Sequence, residues 1–278
     1  MIVTSVTALQ PMFAPSSTSG ALAEPASRQV RVLATMGDST PAGLGDPVAG
    51  GWRGFPVLLG DALGVASLVN TARTGARVAD VRREQLAAVL AARPDVAVIF
   101  VGMNDTLRSD FDPDAIQGDY LAMVSALRAA GAHVLMLRYH DHTKVFRLPA
   151  PLRRALVRRV LALNAVCDAV CASEPAGIGM LDLDALPGGY DRDAWAVDRL
   201  HPSERGHRML AAGFAELLER AGYAVPQPVS LECSGGREVT ALHRAAWLVV
   251  KGLPWLIRRG GDLGPVMIQA LASELRRR

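Results

Sequence analysis

The sequence predicts a three-layer α/β/α domain on a parallel sheet of five strands, followed by a helical C-terminal extension. Three observations predict it. Five short runs rich in Val, Ile or Leu lack clean polar alternation, as strands covered on both faces do. Longer stretches at helical spacing separate them. Half of the 278 residues are hydrophobic, enough to bury one sizeable core.

The strand runs are Val30–Met36, Ala66–Thr71, Asp95–Val101, His133–Arg138 and Ile178–Asp182. The helical patterns are Trp52–Leu63, Val78–Ala92, Asp114–Ala130, Leu152–Ala172 and Glu204–Ala221. Asp112 stands as a cap before Pro113, and Gly131 sits where a helix-ending glycine belongs. Strands alternating with helices imply a parallel sheet with helices on both faces. Ligands bind such sheets at the carboxyl ends of the strands.

Residues 1–29 read as a disordered tail, dominated by Pro, Ser, Thr and Ala from Pro11 to Ser27. No Lys or Arg precedes Arg28, so the positive start of a secretory signal is missing and a cytoplasmic chain is expected. The domain is expected over 30–223, a Pro/Ser/Gly linker over 224–240 and the extension over 241–278. The formal charge of +3 is too small to argue for a nucleic-acid partner. From Glu232 to Arg278 there are eight Lys/Arg and four Asp/Glu, so the basic excess lies in the extension. Its apolar stretch, Leu242–Ile257, is interrupted by Lys251 and Pro254 and is shorter than the roughly 20 residues a bilayer span needs. Three readings stay open for it: a packed helical cap, a lid, or peripheral membrane contact with Trp247 and Trp255 at headgroup level. The three cysteines, Cys167, Cys171 and Cys233, read as plain thiols in a reducing compartment.

Four chemistry-bearing blocks fall just after strand runs or near the end of the sheet. Gly37-Asp38-Ser39-Thr40 follows the first, a way to expose a hydroxyl at the sheet edge, although Ser and Asp also cap helices. Asn70 to Gly75 follows the second, and Gly102-Met103-Asn104-Asp105 the third. Both also suit ordinary turns. Asp198-Arg199-Leu200-His201 spaces a carboxylate and an imidazole so that a compact turn brings them together.

Singly these signals are weak; together, in this order, they resemble the SGNH hydrolase superfamily, also called GDSL esterases and lipases. The resemblance covers about residues 31–222, with Thr40 standing where the first block usually has Leu. It implies a flavodoxin-like strand order and no cofactor or metal. It further implies Ser39 as nucleophile, His201 as its base and Asp198 as orienter. Ser39, Gly75 and Asn104 would form the oxyanion hole, with Asp38 or Asp105 holding the Asn104 amide. The expected reaction is hydrolysis of a carboxylic ester of a lipid, a small molecule or a sugar. Acyl transfer would use the same triad. A catalytically silent binding module would keep the fold, but the intact set Ser39, Gly75, Asn104, Asp198 and His201 speaks against it.

Other polar residues carry milder expectations. His140-Asp141-His142 has metal-ligand spacing but no third ligand in view, and reads as lining the acyl or alcohol pocket. Arg73 and Arg77 flank Gly75 and read as solvated, as do Arg153, Arg154, Arg158 and Arg159, a stripe on one helix. His207 is expected on the surface or in helix packing.

Overall fold

In a computed structural model the chain is described over residues 27–145, 148–174 and 176–234. The N-terminal tail before residue 27 and the whole C-terminal extension lie outside the described residues. The strands and helices follow in the order β1 (Val32–Gly37), β2 (Pro47–Val48), β3 (Gly51–Trp52), α1 (Gly54–Leu63), β4 (Ser67–Asn70), α2 (Val78–Asp80), α3 (Leu86–Ala91) and β5 (Val96–Phe100). Then come α4 (Met103–Thr106), α5 (Pro113–Ala129), β6 (His133–Arg138), α6 (Ala150–Ser173), β7 (Ile178–Asp182) and α7 (Glu204–Arg220).

Five strands form one parallel sheet in the order β4-β1-β5-β6-β7. That is the flavodoxin-like order, with its switch point between β1 and β5. Helices α1 and α7 pack together on one side of the sheet, and α3, α5 and α6 group on the other. β5 is buried along its whole length, as a central strand covered on both faces must be. The edge strand β4 is the most exposed.

The expected signals set most boundaries. The Asp112 carboxylate accepts from the N–H groups of Asp114 and Ala115, capping α5. Gly131 has φ +88°, the left-handed turn that ends the helix. Two expectations need correction. First, the helix expected from Trp52 starts at Gly54, and Trp52 belongs to the two-residue strand β3 paired with β2. Arg53 is pulled aside instead, held by Asp46 at 2.9 Å and Glu204 at 2.8 Å. Second, the helix expected over Val78–Ala92 is interrupted by a π-helical turn, Val81–Gln85. That turn ends on Gln85, which is 3% exposed and reaches the end of β1. π turns of this kind recur at functional sites.

Two side-chain carboxamides close strand ends where the ladder runs out. The Gly37 N–H donates to Gln85 Oε1 at 2.8 Å, and Gln85 Nε2 donates to the Gly37 carbonyl at 2.9 Å. Past β6, the Tyr139 N–H donates to Asn164 Oδ1 and Asn164 Nδ2 donates to the Tyr139 carbonyl, both at 2.7 Å. Beyond β5, the Val101 carbonyl accepts from the hydroxyls of Tyr120 and Tyr139, each at 2.5 Å. Buried backbone groups are thus satisfied without further strand pairing.

Among the described residues no helix is long and apolar enough to cross a membrane. The three cysteines are free thiols, and burial pushes Cys167 up to about 12.

Candidate active site

The site begins where β1 ends. Gly37 has φ +152°, and a Cβ there would stand 2.0 Å from the Phe100 carbonyl oxygen. Only glycine lets the turn lie this close to β5. Ser39 follows, 9% exposed, in a turn tied down by Thr40 N–H to Asp38 Oδ1 (3.1 Å) and Asn70 Nδ2 to the Pro41 carbonyl (2.7 Å). The Gln85 clip holds the residue two before Ser39. Gln85→Leu is expected to leave the buried Gly37 N–H unpaired, while the Gly37 carbonyl keeps the Arg73 N–H, costing about 1–2 kcal/mol and lowering Tm by ~4 °C. Calorimetry of the folded variant checks this.

His201 arrives from a hairpin in which Trp195 bridges Pro202 and the Ala196 N–H donates to the His201 carbonyl at 2.9 Å. Arg199, at φ +58°, makes the left-handed step that keeps this turn compact. Asp198 Oδ1 accepts from the N–H groups of Leu200 (2.9 Å) and His201 (3.0 Å). Its Oδ2 lies 2.6 Å from His201 Nδ1, and His201 Nε2 lies 2.8 Å from Ser39 Oγ. A carboxylate can only accept, so Nδ1 carries the proton and Nε2 is left to accept from the hydroxyl. Burial raises the Asp198 carboxyl, but the His201 ring and the two N–H groups outweigh it and hold the net value below normal.

The loop after β1 presses against this hairpin. Gly45 has φ +102°, and a Cβ there would stand 1.8 Å from the Pro202 carbonyl oxygen. His207, expected on the surface or in helix packing, is a fully buried packing residue. The Phe55 N–H donates to its Nδ1 at 3.1 Å, and its Nε2 donates to the Leu44 carbonyl at 2.9 Å. This use of both nitrogens requires a neutral ring, and burial lowers its pKa to about 4. His207 therefore staples α7, just past His201, to the loop just past Ser39.

Asn104 sits at the start of α4, after Gly102 (φ +127°). Its Nδ2 donates to Asp38 Oδ2 at 3.4 Å and to the Ala76 carbonyl at 3.1 Å. Both partners are acceptors, so the amide end, not the carbonyl end, is the one held here. Of the two carboxylates expected to hold Asn104, Asp38 is the one that touches it. Asp105 instead accepts from the Val78 N–H and pairs with Arg77, both at 3.2 Å. Burial raises both carboxyls, Asp38 to about 7. Gly75, at φ +82°, turns the chain above Asn104. Among the described residues neither the Ser39 nor the Gly75 N–H donates to another group.

The remaining polar residues sort clearly. His140 and His142 are buried against each other and against Trp195, with ring centroids 4.8–5.1 Å apart. Burial drops them to about 4 and about 3. Trp195 belongs to the hairpin that carries His201, so this aromatic group backs the site. Among the described residues no three His, Cys, Asp or Glu side chains converge as a metal site would. Arg73 pairs with Glu84 and Arg77 with Asp105 and Asp110. Sequence reasoning missed Gln85, Asn164 and the stapling role of His207, because a Gln, Asn or His on a helix carries no local signal of what it touches.

A serine, an imidazole and a carboxylate thus stand in line at the carboxyl edge of a parallel α/β/α sheet. The chain belongs to the GDSL-like lipase/acylhydrolase family, whose model matches residues 35–209, and is thus an ester hydrolase in general terms. The structure described as TesA is similar at 26% identity and TM-score 0.54, covering 69% of this chain and 99% of its own. A lipase/acylhydrolase from Enterococcus faecalis shares the fold at 22% identity and TM-score 0.54, covering 68% of this chain and 96% of its own. A mutant form of an acetyl-xylooligosaccharide esterase from Geobacillus shares it at 19% and 0.53, covering 70% and 96%. Comparison with curated proteins gave no match.

Proposed function

We propose that the protein cleaves carboxylic esters through an acyl-enzyme on Ser39. The observation that carries this reading is the unbroken line from Ser39 Oγ through His201 to Asp198, with contacts of 2.8 and 2.6 Å. Ser39 Oγ attacks the ester carbonyl as His201 Nε2 takes its proton. The carbonyl oxygen becomes an oxyanion facing the N–H groups of Ser39 and Gly75 and the Asn104 amide. Such donors are worth on the order of 3 kcal/mol each in related hydrolases. His201 then hands its proton to the leaving alkoxide, and the C–O bond breaks. Water, deprotonated by His201, attacks the acyl-enzyme and releases the acid and Ser39. Asp198 keeps the Nδ1 tautomer and stabilises the imidazolium.

The freedom of the Ser39 and Gly75 N–H groups supports this assignment; Asn104 Nδ2 joins them by turning the N–H of its long 3.4 Å contact with Asp38 to the oxyanion. The substrate is an acyl ester of a lipid, a small molecule or a sugar. A fluorophosphonate probe should label Ser39 in the folded protein, and a short p-nitrophenyl ester should be hydrolysed. Well-folded protein that stays unlabelled would instead be a binding module that kept the fold. Faster p-nitrophenol release on adding an acceptor alcohol, with appearance of the new ester, would make it an acyltransferase.

A further inference from the structure

Two of the three donors facing the oxyanion, Gly75 and Asn104, come from separate parts of the fold, and the residue after Asn104 ties them together. Gly75 is third in the turn Arg73–Ala76, closed by the Ala76 N–H donating to the Arg73 carbonyl at 3.0 Å. Its φ of +82° is what a type II turn asks of that position. The Gly75 N–H takes no part in closing the turn. Nothing inside a four-residue turn fixes where that N–H points relative to Asn104; the anchors on either side do. On one side the Arg73 N–H donates to the Gly37 carbonyl at 3.1 Å, joining the turn to the end of β1. On the other side the links run to α4.

Two adjacent residues of α4 make those links. Asn104 Nδ2 donates to the Ala76 carbonyl at 3.1 Å, a bond that can stay in place while the other N–H of the amide turns from Asp38 to the oxyanion. Asp105 uses both oxygens on the same stretch: Oδ2 accepts from the Val78 N–H and Oδ1 from Arg77 Nε, each at 3.2 Å. Asp105 is 2% exposed, so water competes little for these bonds. Arg77 is fixed in turn by Asp110 at 2.9 Å. The far end of α4 is held by Arg159. Expected to be solvated with its stripe, Arg159 is half-buried and donates to the carbonyls of Thr106 (2.9 Å) and Arg108 (2.6 Å), while Arg153, Arg154 and Arg158 are exposed as expected. The helix that carries Asn104 is thus a fixed base, and Asp105 is the strut from it to the Gly75 turn.

We propose that Asp105 is a positioning residue for the oxyanion hole, setting the separation of the Gly75 N–H and the Asn104 amide by clamping residues 77 and 78 to α4. This deepens the Ser39 reading and rests on it. The physical reason is tolerance. An oxyanion donor acts at about 2.7–3.1 Å from the developing charge, and a displacement of ~1 Å costs much of its effect. A tight turn and a four-residue helix need a rigid bridge to keep two donors within that window. Asp105 has no direct use there, because a carboxylate opposes a neighbouring oxyanion. Its contribution is geometric.

The test compares p-nitrophenyl butyrate with its thionoester, in which sulfur replaces the carbonyl oxygen. Sulfur is larger and a weaker acceptor, so a well-set oxyanion hole discriminates against it. The wild-type kcat ratio, oxygen over sulfur, is expected to be about 100 or more. The ratio does not depend on how much of the protein is folded, so a loss of stability alone leaves it unmoved. In Asp105→Asn one oxygen remains to accept from Val78 or Arg77, and an NH₂ group faces the other donor. The ratio should fall about tenfold, through kcat for the oxygen ester, with KM changed by less than about twofold. Removing a negative charge would by itself favour the oxyanion, so a fall reports lost geometry. A ratio that rises or stays unchanged in folded Asp105→Asn overturns the proposal. Arg77→Gln keeps the Val78 bond and should lower the ratio about threefold. If Asp105→Asn does not fold, an unchanged ratio in Arg77→Gln overturns the proposal in its place. Tyr223→Ala, at the amino edge of the sheet beside Arg28 and His133, should lower Tm and keep the ratio. An equal fall in that variant also overturns the proposal. Failure of the wild type to hydrolyse the butyrate defeats the serine mechanism itself and is distinguishable from all of these.

Discussion

Ser39→Ala is expected to lower kcat for a short acyl ester by about 10⁴-fold or more and to abolish fluorophosphonate labelling. The fold should survive. The Ser39 hydroxyl has one side-chain partner, His201 Nε2, so its loss costs about 1 kcal/mol and a Tm shift of ~2–4 °C. His201→Ala should be about as damaging, because the proton has nowhere else to go. Asp198→Asn is expected to hurt less than His201→Ala, and its damage has a specific cause. Asparagine can still accept from the Leu200 and His201 N–H groups through its oxygen, which preserves the turn. Its NH₂ would then face Nδ1 and force the proton onto Nε2, the nitrogen that must accept from Ser39. Steady-state kinetics alongside thermal melts separate these effects. Wild-type turnover by His201→Ala would refute its assignment as base.

Acidification from pH 6.5 to 4.5 is expected to destabilise the fold steeply, well before most carboxylates protonate. Three buried imidazoles drive it. In the unfolded chain His140, His142 and His207 take up protons near 6.5; in the fold burial holds them at about 4, about 3 and about 4. Their stabilisation is therefore fully present above 6.5 and is lost as pH falls toward 4. Asp38 works in the opposite direction. Its folded carboxyl keeps a proton up to about 7, against 3.8 when unfolded, so it favours the fold on the acid side. His133, lowered by burial, adds to the imidazoles, and Asp105, raised by burial, adds to Asp38; the imidazoles outnumber the carboxyls, so unfolding takes up protons and stability falls as pH falls. Urea melts between pH 7 and 4.5 measure it directly, and a flat midpoint over that range would defeat the prediction. His207→Gln should reduce the slope by about one proton, since a carboxamide offers an acceptor to Phe55 and a donor to Leu44 without titrating.

Much of the fold was legible because its signals are local. A strand buried on both faces must read as an apolar run, as Val96–Phe100 does, and a capped helix must carry its cap, as Asp112 and Pro113 do. The candidate site was legible for the same reason. Ser39 and His201 lie in turns, and Asn104 in the short helix α4, each next to elements the pattern locates. What escaped depends on distant partners. The π turn at Val81–Gln85 carries no local signal, and Gly37, the partner of its last residue Gln85, lies 48 residues away. The β2–β3 hairpin is two residues a side, too short for alternation to show. Whether Asp38 or Asp105 holds Asn104 turns on how the chain packs around Ala76 and Arg77, which no spacing reveals.

The two carboxamide clips divide the site by the chemistry of its supports. A carboxamide has no proton to gain or lose in the range where proteins stay folded, so Gln85 grips the end of β1 equally well at pH 8 and pH 4. Asn164 does the same beyond β6. The other supports are imidazoles: His207 between α7 and the loop after Ser39, and His140 and His142 behind the His201 hairpin. The end of β1 thus rests on an acid-indifferent clip, while the link from α7 to the loop after Ser39 and the packing behind the His201 hairpin are acid-labile. Inactivation on acidification should begin where the imidazoles sit, with the end of β1 yielding last.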